Sequence, residues 1–246
     1  MSIETPEELE ALRASGRVVA EALRAMRRAV RPGVTTGELD HLAARIFRRA
    51  GARSAPNLTY GFPGATCISV NDEAVHGIPG ARRLRDGDLV KLDVAAELDG
   101  FYADACTTVG VGRPRPAATG LAGAARQALG RALDAARAGA PQNAIGAAVE
   151  YEAARHGHAV CGDLIGHGIG RRLHEWPDVP SCYVPGLTQP LTDGLVLTIE
   201  PIISAGSGAV RAERDGWTVS TADGELCAHE EHTIVITSDR PLVLTG

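Results

Sequence analysis

The sequence predicts an α+β fold of two related halves, and three recurrences carry that prediction. Helix-opening signals separated by a glycine turn occur twice, around Gly33 and around Gly139. A strand-entry turn also occurs twice, as Leu84-Arg85-Asp86-Gly87 and as Leu191-Thr192-Asp193-Gly194. In each, a carboxylate stands six residues after the glycine, Asp93 in one case and Glu200 in the other. The turn glycines Gly33 and Gly139 are 106 residues apart, and Gly87 and Gly194 are 107 apart. One offset shared by helices and strands marks a duplicated unit with a pseudo-twofold axis.

Each element follows from local chemistry. Thr5-Pro6-Glu7-Glu8 places a capping hydroxyl, a first-turn proline and a reaching glutamate in capping-box order, and an amphipathic run continues to about Val30. After Arg31-Pro32-Gly33, Thr35 and Glu38 repeat that spacing ahead of a second helix through about Ala50. Helical patterns return at roughly 117–138 and 143–156, separated by Gly139-Ala140-Pro141. The Gly/Pro-rich stretch from Val111 to Thr119 joins the halves. It is too short for a domain linker, so one domain over 1–246 is expected, with halves of about 1–110 and 117–246.

Composition narrows the partners. The chain has 246 residues, 44% of them apolar, and a formal net charge of −5, which gives no general attraction to nucleic acid or anionic lipid. No run approaches a membrane span, and the start MSIETPEELE is acidic where a leader would be basic and then apolar. The cytoplasm is the expected place of action. Five scattered cysteines without a C-x-x-C pair predict reduced thiols rather than disulfides or a cysteine zinc site.

The chemistry concentrates on a few acids. Asp99-Gly100 reads as a two-residue type I′ hairpin turn, and pairing Leu98 with Phe101 puts Asp93 opposite Cys106 and Asp104 opposite Ala95. Asp93 and Asp104 then lie diagonally on one face, their Cα atoms about 7–8 Å apart. Such convergence is costly unless a proton or cation offsets it. Glu200 ends an apolar run, Leu195 to Ile199, where a carboxylate needs a partner. Glu231 enters the alternating strand His232 to Thr237, with Glu230 on the opposite face. His167 is flanked by glycines in Gly166-His167-Gly168-Ile169-Gly170, which would let the backbone approach a buried ligand closely. Four carboxylates and one imidazole suit Mn²⁺, Fe²⁺, Co²⁺ or Zn²⁺ in catalytic use, and two divalent ions match the four negative charges.

With Val75-His76-Gly77-Ile78-Pro79, the GHGIG segment followed by His174-Glu175, Thr198-Ile199-Glu200-Pro201 and Glu231-His232-Thr233, the chain resembles the type I methionine aminopeptidases from Thr5 to Thr237. The resemblance implies the pita-bread fold, in which two pseudo-symmetric halves form a curved antiparallel sheet covered by helices. It implies removal of the initiator methionine, preferentially before a small second residue, with two divalent ions as cofactors. Asp93 would chelate one ion, His167 and Glu200 would bind the other, and Asp104 and Glu231 would bridge them. Glu200 would also shuttle the proton. His76 and His174 would contact substrate at the scissile amide, and Phe62, Cys67, Leu173 and Trp217 would line the methionine pocket. Thr59 and Leu173 depart from relatives that carry aromatic residues there. Nascent N-termini, at the ribosome or free of it, are the implied partners, with a monomer expected. The alternatives are a proline-directed aminopeptidase or prolidase, which commonly has an added N-terminal domain, and a metal-free binding module of the same fold.

Overall fold

Helix caps set the framework of the first half. In the computed structural model, which describes residues 1–246, α1 (Pro6–Ala29) begins where the Thr5 side chain accepts from the Glu8 amide. The capping box expected there is half formed, because the Glu8 carboxylate accepts from the Glu4 amide instead of that of Thr5. At α2 (Thr36–Ala50) the box is complete: Thr35 Oγ1 accepts from the Glu38 amide at 3.1 Å, and Glu38 Oε2 accepts from the Thr35 amide at 2.7 Å. A short helix not expected from the periodicity, α3 (Ala55–Tyr60), follows, capped by Ser54 and ended at Gly61. In the second half α4 (Pro116–Ala135) and α5 (Asn143–Arg155) take the places of α1 and α2.

The central hairpin forms in the register its turn dictates. β1 (Cys67–Val70) runs antiparallel to β2 (Leu89–Leu98), which turns through Asp99 and Gly100 into β3 (Phe101–Gly110). Both turn residues have positive φ, 51° and 83°, as type I′ requires. Leu98 pairs with Phe101, Asp93 with Cys106 and Ala95 with Asp104. In the other half β4 (Gly166–Gly168) and β5 (Val196–Ile199) are antiparallel neighbours, β6 (Ile202–Ser204) pairs with β7 (Cys227–His229), and β8 (His232–Val235) pairs with β5.

The repeat appears in the hydrogen bonds themselves. The Gly33 amide donates to Leu84 O and the Gly139 amide to Leu191 O, each at 2.8 Å. The Gly87 amide donates to Val111 O at 2.8 Å and that of Gly194 to Ile236 O at 2.9 Å. All four glycines sit at positive φ, between 81° and 93°, where a Cβ would be strained.

Each half buries its helices on its strands. One apolar cluster joins α1 and α2 to β2 and β3 through residues such as Met26, Leu39, Val90 and Leu92. Another joins α4 and α5 to β5 and β8 through Leu121, Ile145, Leu197 and Ile234. A third, including Leu12, Ala95, Phe101, Ile169, Leu173, Val196 and Val235, draws from both halves. Two threonines lock the seam. Thr233 Oγ1 accepts from the Asp104 amide and donates to the Asp104 carbonyl, both at 2.8 Å, and Thr108 Oγ1 does the same for His229. No helix is long and apolar enough to cross a membrane.

Because Thr35 forms the complete box, Thr35→Ala should cost about 1 kcal/mol of stability. Thr5→Ala should cost less. Denaturant midpoints of the two variants, at unchanged slope, check the order.

Candidate metal centre

The strands deliver their acids to one cleft of about 400 Å³. Asp93 and Asp104 reach it from the β2–β3 hairpin, His167 from the middle of β4, Glu200 from the end of β5 and Glu231 from the entry to β8. His167 Nε2 stands 3.6 Å from Glu200 Oε1. One donor atom each from Asp104, His167 and Glu231 lies within 4.8 Å of the others. The adjacent Glu230 turns the other way, accepting from Thr107 Oγ1 at 3.0 Å and meeting Arg126 Nε at 3.2 Å. Strand alternation separates the two glutamates.

The glycines around His167 serve a purpose other than the expected one. A Cβ on Gly168 would lie 2.4 Å from the Trp176 carbonyl oxygen, and one on Gly166 would lie 2.7 Å from that of Thr198. They admit neighbouring backbone rather than a ligand, and so bring β4 close to the strands that flank it.

Burial and mutual repulsion dominate the electrostatics. Asp93 and Glu231 are held well above the ordinary carboxylate range, first by burial and then by the surrounding acids. Burial pushes Asp104 to about 6 and, with repulsion from Asp104, Glu200 to about 8. Asp104 Oδ1 is buried and accepts no hydrogen bond. A buried acceptor left open among like charges, beside an imidazole whose other nitrogen is engaged, is what an ion site requires. The donor set therefore fits divalent cations.

The imidazoles are neutral donors or acceptors. Burial drives His167 to about 3, and its Nδ1 contacts Gly168 O at 2.8 Å, which leaves Nε2 for the cleft. The His174 ring lies 4.1 Å from that of His167, and its Nδ1 is 2.6 Å from the Tyr60 hydroxyl. Partial desolvation lowers the pKa of His174 and of His76. His76 holds φ at 57°, rare for a residue with a side chain, and so belongs to the strained positions that gather at working sites. Sequence reasoning missed two residues here, Tyr60 and His229. Tyr60 precedes Gly61-Phe62 without a motif to mark it, whereas His229 shares the cleft-facing parity of Glu231. That parity was the available signal.

An apolar wall completes the cleft. Phe62 meets Trp217 edge to face at 5.2 Å, and Leu173 and Cys67 also line the cleft. Burial, with repulsion from Asp93 behind it, raises the Cys67 thiol far out of the range where it would ionise.

Residues 10–238 match the profile of metallopeptidase family M24. The chain belongs to this family. A methionine aminopeptidase of Treponema pallidum is 42% identical over 99% of the chain and 95% of its own length. The crystal structure of methionine aminopeptidase from Thermotoga maritima superposes with a TM-score of 0.96 at 37% identity, covering 100% of this chain and 99% of that one. A prolidase from Pyrococcus furiosus reaches 0.78 at 23% identity over 99% of this chain and 65% of its own, a likeness of fold alone. Family membership brings with it the use of divalent metal and the pita-bread architecture of paired halves.

An acid whose pKa rises on folding favours the folded state only while protonated. For Glu200 that contribution is intact below its ordinary 4.5 and is lost as pH climbs through about 8; for Asp104 the window runs from 3.8 to about 6. The melting temperature of chelator-treated protein should therefore fall between pH 5 and pH 8, and Mn²⁺ should restore more at pH 8. A flat profile would show that the acids are not desolvated.

Proposed function

We propose that this chain is a methionine aminopeptidase that removes the initiator methionine from polypeptides, preferentially before a small second residue. The observation that carries the reading is the convergence of four carboxylates and His167 beside an apolar wall of Phe62 and Trp217. Relatives with that name, aligned along the whole chain, support it. Both halves supply donors, so residues 1–246 act as one catalytic domain. One chain provides every residue of the cleft, which makes a monomer competent. Nascent N-termini in the cytoplasm are the partners this activity implies.

Asp93, Asp104, His167, Glu200 and Glu231 would hold two divalent ions, with Mn²⁺, Fe²⁺, Co²⁺ and Zn²⁺ all suited to such nitrogen and oxygen donors. Bound there, the ions would supply Lewis acidity toward a carbonyl oxygen and toward water.

The protein's own groups supply the rest. Thr198 Oγ1 donates to Glu200 Oε1 at 3.0 Å, which holds the carboxylate in place to accept a proton from water and pass it to the departing nitrogen. When the Tyr60 hydroxyl donates to His174 Nδ1, the ring proton sits on Nε2. The Nε2–H group can then donate a hydrogen bond to the carbonyl oxygen as negative charge develops. His76, across the cleft, would hold the departing nitrogen. The aromatic edges and the neutral Cys67 thiol offer a thioether an apolar, polarizable seat.

Chelator-treated enzyme should release no methionine from a Met-Ala-Ser peptide and should recover with Mn²⁺ or Co²⁺. A bulky second residue should slow release. Cleavage of Xaa-Pro peptides without methionine release would overturn the reading in favour of a proline-directed enzyme.

Asp93→Asn should lower both the ion content and the rate. Full activity with two ions per chain would remove Asp93 from the ligand set.

A further inference from the structure

One imidazole of the cleft has no part in the chemistry above. His229 ends β7, is 2% exposed, and neither of its ring nitrogens has a hydrogen-bond partner. A buried polar group left unpaired is costly, and packing alone does not justify that cost. Its Nε2 stands 3.7 Å from Glu200 Oε2 and 3.8 Å from Glu231 Oε2, between two of the acids the ions require.

An imidazole so placed can bind an ion or can donate to the groups that do. Nδ1 separates the two roles. A ligating histidine almost always has its second nitrogen fixed by a carbonyl, carboxylate or water. His167 has that anchor in Gly168 O at 2.8 Å, and no carbonyl or carboxylate of the protein serves His229 Nδ1 in that way. What fixes His229 is its backbone, whose amide donates to Thr108 Oγ1 and whose carbonyl accepts from it, both at 2.8 Å. The clasp sets where the ring enters the cleft and leaves the tautomer free to put the proton on Nε2.

Resting on the metal-centre reading, we infer that His229 is a positioning residue, whose Nε2–H orients the Glu200 and Glu231 carboxylates toward the ions they bind. At 3.7 and 3.8 Å the contacts are longer than hydrogen bonds, and a small rotation of either carboxylate closes the gap. Donation to one oxygen of a carboxylate leaves its other oxygen turned to the ion. Outer partners of this kind typically account for 10- to 100-fold in metal affinity.

Mn²⁺ titrated calorimetrically into chelator-treated protein tests this without reference to cleavage. His229→Leu, which removes the donor, should weaken binding about 10-fold or more. His229→Gln, which keeps an N–H, should stay within about threefold. Wild-type affinity in His229→Leu, or equal loss in both variants, would overturn the inference. Melting curves of the metal-free variants show whether each is folded. The unmutated protein loaded with Co²⁺ provides a second test that no folding defect can obscure. Its hyperfine-shifted, exchangeable imidazole N–H signals should count one ligating histidine, and two would make His229 a ligand and overturn the positioning role. Failure of the unmutated protein to bind Mn²⁺ would overturn the metal-centre reading together with this one, whereas tight binding unaffected by His229→Leu would overturn this one alone.

Discussion

Four carboxylates share one buried cleft, and that accumulation of like charge is the constraint to which the surrounding structure answers. Left to themselves the acids would keep their protons or drive the strands apart. The fold opposes separation with covalent and hydrogen-bonded restraint. Asp93 and Asp104 are tied by a two-residue turn, Glu231 sits beside β3 through the hydrogen bond its backbone N–H donates to Cys106 O at 2.9 Å, and Thr233 grips Asp104 by both backbone groups. Apolar packing from both halves closes over this framework. The acids are thus held at a spacing that retained protons or bound cations must offset.

What the sequence made legible was whatever depends on near neighbours or on an internal repeat. The register of Asp93 and Asp104 could be counted from Asp99-Gly100, since a two-residue turn leaves no freedom of alignment. Alternation separated Glu231 from Glu230, and the matched glycines announced the duplicated halves before any strand was placed. The rest depends on contacts distant in the chain. Tyr60 and His174 are 114 residues apart, so nothing local to either announces their bond. The same is true of Thr108 and His229, which meet across the seam. The glycines of the GHG segment were read as clearance for a ligand, whereas they clear the Trp176 and Thr198 carbonyls, because close backbone approach looks alike in sequence whichever partner arrives. At Thr5 the pattern gave the right helix start and the wrong partner for Glu8, whose carboxylate reaches one residue further back.

The cleft divides its labour by polarity. The cleft is lined by acids and neutral imidazoles and by the Phe62–Trp217 pair, with the Cys67 thiol, too buried to ionise, next to Asp93. A side chain that seats on the apolar wall brings the following peptide bond to the polar side, so the choice of residue and the point of cleavage are fixed by one placement. Lowered imidazole pKa values keep positive charge from accumulating beside the acids.

The seam between the halves has a mechanical meaning. Because the acids come from both halves, the distance between them depends on how the halves are held together, through the shared apolar cluster and the two threonine clasps. The spacing of the acids is therefore set by Thr108, Thr233 and the apolar residues between the halves as much as by the carboxylates themselves.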